Sequence, residues 1–314
     1  MVVTHGTLPG AASPAGPGER WAVTIGNFDG VHRGHRALLD RVTSKARELK
    51  IGSCVLSFEP HPREFFAGKD AQSRVPARLT RLRDKLELMA AAGIGRVHIA
   101  RFDARFASLS AAEFIDKVLV RGIGTRWLAV GRDFRFGKGR AGDYAALEEA
   151  AGRCGFALES VADVSLDGER VSSSAVRMAL QAGDLRRAER LLGHTYSISG
   201  RVAHGAKLGR DLGFPTANIP LRRAPPLAGI YVVDIEDFGP GVASVGRRPT
   251  VNPVSLPLLE VHLLDWQGDL YGKHLRVCFL EKLRDEEKYA GLEPLKNAIA
   301  RDVRRAREYF ARHG

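Results

Sequence analysis

The chain has 314 residues, an apolar fraction of 44% and a formal net charge of +12 with pI near 9.9. That length predicts two domains, each able to bury a core. Cys54, Cys154 and Cys278 are widely spaced and include no CxxC pair, which excludes a thiolate metal site and a disulfide framework and fits a reducing cytoplasm. No apolar run approaches the ~18 residues of a bilayer span, so no membrane partner is expected. The basic balance suits polyphosphate substrates. Zinc-finger spacing, an aromatic RNA-binding strand pair and a dense basic arm are all missing, so nucleic acid is not expected as a partner.

Residues 1–20 are rich in Gly, Pro and Ala, lack the layout of a secretory signal, and read as a disordered tail. Residues 21–25 form a short apolar run, a buried strand. The turn Gly26-Asn27-Phe28-Asp29-Gly30-Val31-His32-Arg33-Gly34-His35 follows, and helical apolar spacing begins behind it. A glycine-broken turn from strand to helix presents free N–H groups and the positive end of a helix dipole, a setting for a phosphate chain. His32 and His35 are three apart and share a face. Gly30 and Gly34 withhold side chains where a nucleotide approaches. Asp29 either holds the turn or helps hold a cation.

Further along, residues 53–58 and 97–100 read as strands, 80–92 as a helix stopping at Gly93, and 127–130 as a strand ending at Gly131. Ser110 and Glu113 fit a capping box before an apolar face of Phe114, Ile115, Val118 and Leu119. Alternating strands and helices predict a parallel sheet covered on both sides, with ligand outside the carboxyl ends of the strands. From about residue 196, short strands at 196–199, 229–233, 242–245, 258–264 and 275–280 predict a small antiparallel barrel, and residues 293–310 a terminal amphipathic helix. The expected divisions are 1–20, 21–192 and 193–314.

The H-x-G-H turn resembles that of adenylyl-transferring α/β nucleotidyltransferases. Further segments extend the resemblance: Phe58-Glu59-Pro60-His61-Pro62, Gly131-Arg132-Asp133-Phe134-Arg135-Phe136-Gly137, Val171-Ser172-Ser173-Ser174-Ala175-Val176-Arg177, Gly213-Phe214-Pro215-Thr216-Ala217-Asn218, Leu259-Glu260-Val261-His262-Leu263 and Arg284-Asp285-Glu286-Glu287-Lys288-Tyr289. Over nearly its whole length the chain resembles the bifunctional bacterial riboflavin kinase/FMN adenylyltransferase family, also called FAD synthetase. The resemblance implies a Rossmann-like N-terminal α/β domain that adenylylates FMN to FAD, and a C-terminal riboflavin kinase barrel with a terminal helix that makes FMN. ATP is the co-substrate of both, and Mg²⁺ is expected for both.

For adenylyl transfer the resemblance assigns Gly26, Phe28, Gly30, His32, His35, Ser173, Ser174 and Arg177 to ATP, with His32 and His35 catalytic. It places Asp133 and His61 near flavin or its phosphate. The Ser172–Ser174 run also reads as an ordinary helix cap, and Phe134 and Phe136 equally as core. For the kinase it assigns Gly205, Gly209, Gly213, Thr216 and Asn218 to ATP, Thr216 and Asn218 also to Mg²⁺ as hard oxygen ligands, Tyr271 and Arg284 to flavin, and Glu260 as base. A carboxylate in an apolar strand is costly to bury without a task. The bland alternative has Glu260 facing solvent in phase with His262. Ser244 stands where the family commonly has Asn, and Ser174 where it usually has Thr. A single-activity adenylyltransferase and a basic nucleic-acid-binding protein on the same scaffold are the rival readings. A homo-oligomer is left open.

Overall fold

The computed structural model describes residues 1–6, 20–68, 75–204, 213–247 and 257–313. Two compact units result, one from Met1–Pro76 and Lys85–Val171, the other from Ala77–Asp84 and Ser172–Gly314. The expected boundary at 192/193 falls at the end of a helix, two helices beyond the unit's edge at 171/172.

In the first unit, β1 (Val2–Gly6), β2 (Trp21–Ile25), β3 (Gly52–Glu59), β4 (Arg96–Arg101), β5 (Thr125–Gly131) and β6 (Ala157–Val161) form a parallel sheet in the order β1-β4-β3-β2-β5-β6. The expectation of a tail over residues 1–20 is corrected at Val2–Gly6, which lies along β4 from Val2 opposite Arg96 to Gly6 opposite Ala100. β-branched Val2, Val3 and Thr4 suit an extended edge, and the Thr4 hydroxyl lies 2.9 Å from His98 Nδ1. The rest of that stretch, 7–19, lies outside the described residues.

β2 is central. The chain steps outward through β3 and β4, then returns to β5 on the other side of β2, so the order reverses beside β2. Crevices at such reversals, outside the carboxyl strand ends, are where parallel α/β sheets hold ligands. Buried Val23, Ile25, Leu56, Leu128 and Val130 meet Phe106, Phe114, Val118, Leu119 and Leu147 from the covering helices. Helix α1 (Arg33–Leu49) follows β2, and α2 (Pro62–Ala67), α3 (Leu82–Ala91), α4 (Ala104–Ala107), α5 (Ala111–Glu113) and α6 (Tyr144–Cys154) come later. The Ser110 capping box is present: the Glu113 N–H donates to Ser110 Oγ, and the Ser110 N–H to Glu113 Oε2. Beyond it the helix widens into a π-helical stretch, Phe114–Ile123, that Gly124 ends in the left-handed region.

The second unit holds α7 (Ser173–Gln181), α8 (Leu185–Leu192) and an antiparallel sheet. Its strands are β9 (Ser197–Arg201), β10 (Ala217–Pro220), β11 (Gly229–Ile235), β12 (Gly239–Arg247), β13 (Pro257–Leu263) and β14 (His274–Arg284), in the order β10-β13-β12-β11-β14-β9. An Ala203–Asn218 bridge brings the two ends together, so the barrel is nearly closed. The terminal helix α9 (Leu292–His313) lays Ala306, Val303 and Phe310 against Val232, Val242 and Leu283.

Candidate functional sites

The turn after β2 is strained as well as glycine-rich. Phe28 (φ 50°) and Val31 (φ 41°) occupy the left-handed region beside Gly30 (φ 87°). Such positions cost about 1–3 kcal/mol each for non-glycines and persist where packing over-determines them. Phe28 is fully buried, so any part it takes in nucleotide binding falls to its backbone. Gly34 serves a different neighbour than expected. A Cβ there would press on the His32 imidazole at 3.3 Å, so this glycine makes room for His32.

His32 is the N-cap of α1: its Nδ1 accepts the His35 N–H at 3.3 Å, which leaves its proton on Nε2. The His32 and His35 rings stack with centroids 3.6 Å apart. Burial first, then His32 and the Lys85 ammonium, hold the His35 pKa well below the ordinary histidine range, so His35 works as a neutral imidazole. His35 Nδ1 and Asn27 Oδ1 are buried without a hydrogen-bond partner among the described residues. Both residues line a cavity of about 780 Å³ at the carboxyl ends of β2 to β5.

Phenylalanines wall that cavity: Phe58, Phe66, Phe102, Phe106, Phe114 and Phe136. Phe102 meets Phe58, Phe65 and Phe66 edge to face, and Phe134 stacks on Phe136 with centroids 5.6 Å apart. Phe134 and Phe136 thus serve the core and the cavity together. His61 and Asp133 both line it. His61 also caps α2, its Nδ1 accepting the Arg63 N–H at 3.1 Å. Asp133 is tied at 2.8 Å to Arg170, which also grips Asp163 at 2.9 Å. Arg170 was not singled out in the sequence. Its position just before the serine run was the available signal.

Ser173, Ser174 and Arg177 belong to the second unit, on the first turns of α7. The cap itself is Ser172, whose Oγ accepts the Ala175 N–H. Arg177 Nε donates to the Ala77 carbonyl at 2.6 Å.

On the barrel, Leu258, Glu260 and His262 face outward while Leu259, Val261 and Leu263 are buried. Glu260 is therefore half-buried on an alternating strand in phase with His262, and the argument from a buried carboxylate does not hold. Register is the more informative observation. Glu260 pairs with Asn218 on β10 and with Ser244 on β12, which sets the three side chains in one row on one face. Asn218 is buried and its Nδ2 donates to the Thr216 carbonyl at 3.3 Å. Thr216 lines a cavity of about 520 Å³ with Pro215, Trp266, Leu270 and Tyr271. Tyr271, expected beside flavin, shares the cavity of Thr216 and lies 4.0 Å from the His204 ring. Arg284 points elsewhere: its Nε and Nη2 grip the buried Asp302 of α9 at 2.7–3.1 Å. Gly213 is described, with φ 86°, whereas Gly205 and Gly209 lie outside the described residues.

The FAD synthetase family matches residues 17–175 and the riboflavin kinase family residues 192–310. The bifunctional riboflavin kinase/FMN adenylyltransferase of Escherichia coli K12 is 50% identical over 94% of each chain, and that of Pseudomonas fluorescens 52% identical over 92% of each. A crystal structure from Streptococcus pneumoniae, described as a macrolide-efflux protein, superposes with a TM-score of 0.79 at 25% identity, covering 98% of this chain and 99% of that one. No helix among the described residues is long and apolar enough to cross a membrane. From its parallel sheet with an H-x-G-H turn through its barrel with a Thr-Ala-Asn strand, the chain belongs to the bifunctional riboflavin kinase/FMN adenylyltransferase family.

Proposed function

We propose that the chain phosphorylates riboflavin to FMN on its barrel and adenylylates FMN to FAD on its parallel-sheet unit, consuming ATP in each step. One observation supports the second reaction above others: His35 and Asn27, whose Nδ1 and Oδ1 are buried without a partner among the described residues, belong to the lining of a phenylalanine-walled cavity beside a helix N-terminus. Aromatic walls suit a flat isoalloxazine, and buried polar atoms left unpaired suit a polar ligand. In that site a phosphate oxygen of FMN attacks the α-phosphorus of ATP and pyrophosphate leaves. His32 and His35 donate N–H bonds to the nucleotide phosphates, and the N-terminus of α1 adds its dipole. Asp133 and Arg170 position the loop that closes one side of the flavin cavity. Ser173, Ser174 and Arg177 are assigned to the phosphates on the family resemblance alone.

On the barrel, Glu260 takes the proton of the riboflavin 5′-hydroxyl as that oxygen attacks the γ-phosphorus, and ADP leaves. Thr216 and Tyr271 line the nucleotide cavity. Arg284 acts at a distance, holding the 285–289 segment to α9 through Asp302. A divalent cation fits the donors present: the Thr216 hydroxyl and the Asn218 carboxamide are hard oxygen ligands, and Mg²⁺ takes few protein ligands and keeps several waters. When bound it neutralises phosphate charge. The chain is expected in the cytoplasm, without a nucleic-acid or membrane partner.

Incubation with riboflavin, ATP and Mg²⁺, with flavins separated by chromatography, should yield FMN and then FAD, and excess EDTA should stop both. ATP-independent retention on random-sequence DNA with no flavin turnover would refute this reading.

A further inference from the structure

Glu286 follows β14 and folds back onto the barrel face that carries Glu260. Its carboxylate lies directly over Gly246, where a Cβ would collide with Glu286 Oε1. Gly246 pairs with Leu258, and Ser244 with Glu260. Gly246 and Glu260 are therefore diagonal neighbours on one face, roughly 7–8 Å apart. Glu286 stays exposed, yet partial desolvation against the barrel first, then the Glu260 charge, push its carboxyl above its ordinary pKa, and the Arg284 charge opposes them. Arg284 is a weak neutraliser because Asp302 holds its guanidinium at three contacts. His262, two residues along β13 on the same face, has Nδ1 2.9 Å from the Pro215 carbonyl oxygen.

We propose that Glu286 is a specificity-determining residue of the kinase site: seated on Gly246, it joins Glu260 in a two-carboxylate end that accepts a neutral polyol and repels a phosphomonoester. The proposal rests on the reading of Glu260 as the base. Riboflavin enters uncharged and leaves bearing about −1.5 to −2 charges on the oxygen that reacted. A second carboxylate at this end therefore weakens product binding with little effect on substrate binding. Gly246 is needed because any side chain there displaces the carboxylate.

The test is FMN inhibition of riboflavin phosphorylation by the full-length protein, followed with isotopically labelled riboflavin so that added FMN is not counted. Glu286→Gln keeps shape and removes charge. It should lower the inhibition constant for FMN roughly tenfold, the factor expected for a dianion some 7 Å from one charge at high effective dielectric, while KM for riboflavin moves less than about threefold. Gly246→Ala displaces an unaltered carboxylate and should shift the FMN constant in the same direction. It supplies the same readout should Glu286→Gln fail to fold. If the FMN constant and the riboflavin KM move by one common factor, or neither moves, the proposal is overturned. Glu260→Gln separates the two levels. An active Glu260→Gln enzyme defeats the base reading, whereas an inactive one with unchanged FMN selectivity in the other variants defeats the Glu286 proposal alone.

Discussion

His98 lies on β4, buried, with Nδ1 against the Thr4 hydroxyl, and burial pushes its pKa down to about 4. A histidine with a depressed folded pKa costs no stability while both states are neutral, above the unfolded value near 6.5. As pH falls from there the unfolded chain takes up the proton and the folded chain does not, so stability drops until the folded pKa is passed. At 1.36 kcal/mol per unit, His98 accounts for about 3 kcal/mol lost between pH 6.5 and 4. His98→Gln should remove that part of the acid sensitivity, measured as the difference in urea unfolding free energy between the two pH values. His35 is depressed in the same direction, with a catalytic consequence. Because it acts as a neutral donor, His35→Ala should lower the adenylyltransferase kcat about 100-fold, as loss of one preorganised donor does. His35→Gln, which keeps an N–H, should recover part of the loss.

At the scale of elements, the Ser110 capping box bonds both of its backbone N–H groups to side chains, at 3.2 and 2.9 Å. Ser110→Ala should cost about 1 kcal/mol, read as a lower urea midpoint with an unchanged slope. That cap was legible in the sequence because both partners lie within four residues. So was the alternation along β13, where every second side chain from Pro257 is buried. β1 was not legible: its partner β4 lies 94 residues away, and its own composition continues into a Gly-, Pro- and Ala-rich stretch. Four-residue β10 has no run long enough to show a period and ends in Pro220, yet it places Asn218 opposite Glu260. The π-helical widening after Glu113 left no mark in the apolar spacing, because the faces of one helical turn differ little between the two windings.

At the scale of the molecule, the sequence carried the two-part organisation. His35, His61 and Asp133 follow different strands and line one cavity, because a parallel sheet gathers strand ends. The register across β10, β13 and β12 was not accessible from one strand, so the row of Asn218, Glu260 and Ser244 could not be read from the sequence, and neither could the ion pair of Arg284 with Asp302. The central claim is that the two reactions have separate active sites. Product analysis of Glu260→Ala and His32→Ala, each supplied once with riboflavin and ATP and once with FMN and ATP, tests it most directly. Glu260→Ala should lose FMN formation by about 10²- to 10⁴-fold and still convert FMN to FAD, while His32→Ala should accumulate FMN and make little FAD. Loss of both activities in either folded variant would contradict the account.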